Sequence, residues 1–154
     1  MRTTQLSWGR LPPDVPTHWT DEFLWSGTRD PSAYFSVPAA IDFLESFGID
    51  RFRLVTHDLA RYARQRIVEL TGLEPIVPDD SAWYGTMAHV PLPPGDARAL
   101  QRKLWEYHHI EVPVVEWNSA RYIRVSCHLY NDRAQIDALV DALRERLAAE
   151  RVGS

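Results

Sequence analysis

The sequence predicts an α+β domain, with a mostly antiparallel sheet of about three strands packed with four helices. Three observations carry this reading. Four stretches place apolar residues every three or four positions, the helical period. Two short alternating runs, EVPVVEWN and RYIRVSC, are joined by Asn118-Ser119-Ala120, the pattern of a hairpin. A third strand-like run, YGTMAHVPL at 84–92, lies between two of the helical stretches.

The elements follow in order. Residues 1–33 are proline-rich and aperiodic, and Pro12, Pro13 and Pro16 forbid a regular helix there. The segment is long for a structureless loop, so it reads as an extended arm that needs a second surface, ahead of a domain at 34–154. Its Trp8, Trp19 and Trp25, three of six tryptophans, strengthen that reading, because so much aromatic surface calls for cover. Asp30-Pro31 reads as an N-cap with proline at the first helical position. Tyr34, Val37, Ile41 and Leu44 then form one helical face, which Gly48 ends.

A second helix starts at Asp50, with Phe52, Val55, Leu59, Tyr62, Arg66 and Leu70 on one side, and it stops at TGLEP. Arg51, Arg61, Arg64 and Gln65 fall on the side expected to meet solvent. After the 84–92 strand, PPGD caps a helix over 96–108 with Ala97, Leu100, Leu104 and Tyr107 inward. In the hairpin's second strand Ile123, Val125 and Cys127 alternate with Tyr122, Arg124 and Ser126. The last helix begins after Asn131, where Asp132 and Gln135 resemble a capping box and Ile136, Leu139, Leu143 and Leu147 form the stripe.

Composition bounds the function. The chain has 154 residues, 45% hydrophobic and 25% charged, values of a globular protein with one real core. A formal charge of -4 and a pI near 5.8 argue against a general nucleic-acid binder. No apolar run approaches the ~20 residues of a membrane span, so no membrane partner is expected. The N-terminus MRTTQLSWGRLPP has no signal-peptide core, and Cys127, the one cysteine, has no internal disulfide partner; both suit a cytoplasmic location.

Few residues invite chemistry. Gly27 and Thr28, in WSGTRDPS, form a turn just before a helix start, where backbone N–H groups and a hydroxyl can meet a phosphate, with Arg29 adjacent. An ordinary turn is the plainer alternative. Arg124 sits between an aromatic and a hydroxyl; a guanidinium is costly to bury alone, and its planar fork suits a carboxylate. A half-exposed arginine with an acidic neighbour is the plainer alternative there. His108 and His109 are explained by a helix C-terminus. His57, His89 and His128 show no ligand spacing with Cys127 or each other, so no zinc site is expected. Cys127 alternates inward and reads as a buried small hydrophobe, not a nucleophile.

Four stretches, LSWG at 6–9, WSGTRDPSAYFSVPAAIDFL at 25–44, HHIEVPVVEWN at 108–118 and YIRVSCHLYNDRAQID at 122–137, with their spacing, resemble the C-terminal part of class V aminotransferase-fold proteins. The likeness is strongest to the isopenicillin N epimerase-like group and covers nearly the whole chain. It implies the small domain of a fold-type I enzyme that uses pyridoxal 5'-phosphate on amino-acid substrates. It further implies that Gly27 and Thr28 reach the cofactor phosphate across a homodimer interface, and that Arg124 fixes the substrate carboxylate. Such an enzyme also needs a Schiff-base lysine and an acidic partner for the pyridine nitrogen. The family carries these in a large domain upstream of the position matched by LSWG. Lys103, the only lysine, lies in the amphipathic run QRKLWEY, expected to be solvated, and is a poor substitute. The expectation is therefore a C-terminal portion with no catalytic residue of its own, inactive alone, that relies on a large-domain segment or partner chain. A non-catalytic binding or assembly module derived from that small domain is the alternative.

Overall fold

The computed structural model describes residues 30–152. The chain divides into two compact units, Met1–Ser46 and Phe47–Ser154.

In the first unit, the Asp30 carboxylate accepts the Ser32 N–H at 2.9 Å, but the helix starts one residue later than expected, with Pro31 rather than Asp30 at the N-cap position. The single helix expected over this stretch is broken in two: α1 (Ser32–Phe35) and α2 (Val37–Phe47). Pro38 explains the break, since it has no N–H to return to the Tyr34 carbonyl. The expected inward stripe is also corrected. Tyr34, Val37 and Ile41 are exposed and Leu44 is only half-buried, because helical spacing sets which residues share a face but not what covers it.

The second unit carries the sheet. Gly48, at φ 80°, separates α2 from α3 (Ile49–Thr71), and Gly72 at φ 70° closes α3 by donating its N–H to the Val68 carbonyl. Then come β1 (Met87–Leu92), α4 (Ala97–His108), β2 (Val114–Trp117), β3 (Ala120–Ser126) and α5 (Arg133–Val152). The sheet is three-stranded and antiparallel in the order β1-β3-β2, as the alternation predicts. The hairpin loop is two residues, Asn118 and Ser119, both at positive φ as a tight primed turn requires, and Ala120 already belongs to β3. Asp96 caps α4 by accepting the Ala99 N–H. At α5 the capping box is complete: Asp132 Oδ1 accepts the Gln135 N–H at 2.9 Å, and Gln135 Oε1 accepts the Asp132 N–H at 3.3 Å.

One sheet face, with Val90, Val114, Ile123 and Val125, is buried against Ala60, Ala63 and Ile67 of α3, Leu100 and Leu104 of α4, and the α5 stripe. The opposite face carries the exposed side chains Met87, His89, Val115 and Trp117. Three helix-face readings are corrected. Val55 is exposed and Thr56 takes its place in the interior. Arg64, expected in solvent, is buried, because the segment after α3 runs back over it. There its Nη2 donates to the Val77 carbonyl at 2.7 Å, while neighbouring Arg61 donates to Asp79 at 3.0 Å. Tyr107, expected inward, is 65% exposed and lies under the Arg146 guanidinium, 4.9 Å from the ring centre.

Arg121, on the buried face of β3, is 2% exposed. Its Nε donates to the Pro93 carbonyl at 2.8 Å, and its two Nη groups grip both Glu150 oxygens at 3.1 and 2.8 Å. That fork ties β3 to the end of α5 and to the turn before α4.

Candidate functional site

β2 leaves the sheet before β3 ends. The Arg124 N–H still donates to the Pro113 carbonyl at 3.0 Å, while Cys127, three residues on, donates toward β1, to the Thr86 carbonyl at 2.8 Å. Strand alternation therefore aims the Ser126 N–H at the edge that β2 has vacated. A cleft of about 370 Å³ lies there, lined by Arg124, Ser126, the 109–113 segment, Asn131 and Gln135.

Arg124 stands across the strand pair from His89, on the face without the helical layer. Among the described residues its buried Nε has no hydrogen-bond partner, and no carboxylate pairs with it. Glu111 lines the same cleft without an ion pair to it. An unmet buried guanidinium N–H costs on the order of 1–3 kcal/mol. The contrast with Arg121 on the same strand is direct, since there every guanidinium nitrogen has an acceptor. The arrangement leaves an arginine with a buried, unbonded Nε at a small cleft of mixed polar and apolar lining, and a guanidinium fork is a group that suits a carboxylate. Arg124 is half-buried, as the plainer alternative expects, but among the described residues its acidic neighbour Glu111 makes no ion pair with it.

The turn after β3 holds the cleft wall in place. Asn131 Oδ1 accepts the His128 N–H at 2.9 Å, and Asn131 Nδ2 donates to Gln135 Oε1 at 3.1 Å. The His128 ring is stacked on Tyr130 with centroids 4.6 Å apart and meets Phe52 edge-on at 5.2 Å; its Nδ1 is also buried without a partner. Sequence reasoning passed over this ring because it sought metal-ligand spacing, although an aromatic two residues after the histidine was visible.

Other sequence-singled residues fall elsewhere. Gly27 and Thr28 lie outside the described residues. Lys103 is half-buried on α4, not solvated as expected, and α4 belongs to the helical layer on the far face of the sheet from Arg124. His108 is the last residue of α4, and His109 takes the left-handed cap at φ 55°. His57 Nδ1 lies 3.3 Å from the Gly85 carbonyl. Cys127 is 4% exposed, and burial pushes its thiol up to about 11, which suits an inert core residue. Near the start of the sheet, burial first and then donation to Asp79 push the Tyr84 phenol up to about 12. Among the described residues no group of three or more His, Cys, Asp or Glu could hold a metal ion, and no helix is long and apolar enough to cross a membrane.

Comparison with known proteins identifies the family. The family model for aminotransferase class-V matches residues 18–139. The chain is 35% identical over 156 residues to isopenicillin N epimerase of Amycolatopsis lactamdurans, a match that covers 94% of this chain and 39% of that protein. It is 31% identical over 144 residues to a protein named probable cysteine desulfurase from Halalkalibacterium halodurans, covering 90% and 33%. Among solved structures it resembles 8-amino-7-oxononanoate synthase from Francisella tularensis, with a TM-score of 0.62 at 17% identity over 86% of this chain and 38% of that one; the likeness is one of fold. The chain thus spans about two fifths of the length of the epimerase it matches. The resemblance carried by the four sequence stretches is borne out, and the chain belongs to the aminotransferase class-V family.

Proposed function

We propose that this chain is the C-terminal domain of a pyridoxal 5'-phosphate-dependent, isopenicillin N epimerase-like enzyme acting on amino acids, in which Arg124 anchors the substrate carboxylate. The observation that supports this is the buried, unpartnered Nε of Arg124 in the cleft where β2 leaves β3. The described residues fit the substrate end of such a site: Arg124 offers two parallel N–H donors, and the bonded Asn131 turn keeps the wall rigid. They do not fit the end that holds the cofactor covalently, because Lys103 rides the helical layer on the other face. Pyridoxal phosphate, when bound, supplies an electron sink for chemistry at the amino acid's α-carbon. Gly27 and Thr28 are proposed to contact its phosphate in the opposite subunit of a homodimer. The extended arm at 1–33 packs on a large domain or the dimer mate. The lysine comes from sequence beyond these 154 residues, so the chain alone is inactive and works in the cytoplasm as part of the larger enzyme.

Two measurements test this. The purified chain mixed with pyridoxal phosphate should show no absorbance band of lysine-bound cofactor; a band that Lys103→Arg abolishes would overturn the assignment. In the assembled enzyme, Arg124→Ala should weaken binding of a carboxylate substrate by about 2–5 kcal/mol, the range for truncating one side of a buried charged pair. Unchanged affinity would remove Arg124 from the site. A non-catalytic module derived from this domain would instead show a melting temperature indifferent to cofactor and to amino acids.

A further inference from the structure

The hydrogen bonds around the cleft run in one direction, and that direction has a chemical consequence. It starts at a backbone group whose polarity is fixed: the His128 N–H can only donate, and Asn131 Oδ1 accepts it at 2.9 Å. The Asn131 amide is thereby oriented, and its Nδ2 donates to Gln135 Oε1 at 3.1 Å. A second fixed donor, the Asp132 N–H, reaches the same oxygen at 3.3 Å. Two donors on Oε1 orient the Gln135 amide in turn. Its Nε2, with two N–H groups, has no acceptor among the described residues, and this exposed side chain lines the same cleft as Arg124.

We infer that Gln135 Nε2 is a second donor to the carboxylate that Arg124 anchors, so that the bound acid is held by a guanidinium fork and an amide rather than by charge alone. The inference rests on the Arg124 reading and extends it. A carboxylate offers about four acceptor positions; the fork takes two and leaves others for the amide. The role of Gln135 is then double. Its oxygen closes the α5 cap and its nitrogen serves the ligand, so glutamate would be an equal cap and a poor ligand donor. A glutamate at 135 keeps an acceptor for Asn131 and for the Asp132 N–H, but it presents an anion to an anion.

The test is a titration of the full chain, labelled with nitrogen-15, with sodium acetate as the probe. The side-chain signals of Arg124 Nε–H and Gln135 Nε2–H₂ should both shift with one saturation curve. Gln135→Glu should leave the melting temperature unchanged and weaken acetate binding by about tenfold or more, the scale of losing a hydrogen bond to a charged group. Arg124→Ala should remain folded, since no hydrogen bond or ion pair holds the Arg124 guanidinium among the described residues, and should abolish the saturable shift. If Arg124→Ala abolishes binding while Gln135→Glu binds like the parent and the Gln135 amide stays still, the inference about Gln135 is overturned and Arg124 stands. If Arg124→Ala binds acetate like the parent, or the parent shows no saturable shift, both fail.

Discussion

Removing the Glu150 carboxylate is the most informative perturbation of the framework that presents Arg124. Glu150 and the Pro93 carbonyl together absorb the Arg121 guanidinium, whose side chain is 1% exposed. Glu150→Ala would leave that cation buried with one acceptor of its three. Breaking a buried ion pair from one side costs about 3–5 kcal/mol. Glu150 keeps 23% exposure, so water can partly replace the lost oxygens, and the expectation lies at the low end, about 3 kcal/mol. For a chain of this size that corresponds to roughly 6–12 °C in melting temperature. Replacing the cation as well, in Arg121→Met with Glu150→Ala, removes the stranded charge and should recover most of the loss. About 1 kcal/mol would remain for the Pro93 carbonyl that loses its donor. Urea unfolding followed by circular dichroism gives the three free energies on the purified chain. A cost under about 1 kcal/mol for Glu150→Ala, or a double variant less stable than the single one, would refute the view that this fork anchors β3.

Three further outcomes follow from contacts around the same sheet. Gly95→Ala would place a methyl 2.7 Å from Arg121 Nη1 and 3.0 Å from its Cζ, and the locked guanidinium cannot yield, so unfolding free energy should fall by about 1–3 kcal/mol. Alanine at 95 with parental stability would mean the fork is loose. Cys127, with its thiol at about 11 against a usual 9.0, should react with a thiol reagent near neutral pH about 100-fold more slowly in the folded chain than in urea. For Tyr84, raised to about 12 from 10.0, the unfolded phenol ionises first as pH rises, so its stabilising contribution is complete below pH 10 and is lost between 10 and 12. Ultraviolet titration should find one late phenol that Asp79→Asn shifts downward, and a phenol unmoved by that change would contradict the donation to Asp79.

The parts of this molecule that local chemistry decides were readable in advance. The hairpin at Asn118-Ser119, the reciprocal cap of Asp132 and Gln135, and the inward alternation of Ile123, Val125 and Cys127 each depend on residues within a few positions. The misread positions depend on distant chain. Arg64 is buried only because the 72–86 segment returns across α3, and Tyr107 is exposed because the last turn of α4 meets Arg146 instead of the core. At the site, sequence singled out Arg124, but nothing local revealed that β2 departs early and leaves that arginine a cleft. Nor could it separate Arg124 from Arg121, which pairs inward with Glu150, 29 residues away.

Arg124 is proposed to read a carboxylate, and a ligand without one isolates that role. In the assembled enzyme, affinities for an amino acid and for the corresponding amine without its carboxylate can be compared between the parent and Arg124→Ala. The amino acid should lose about 2–5 kcal/mol of binding in the variant while the amine loses none. Equal losses for both ligands, or no loss for the amino acid, would contradict that role.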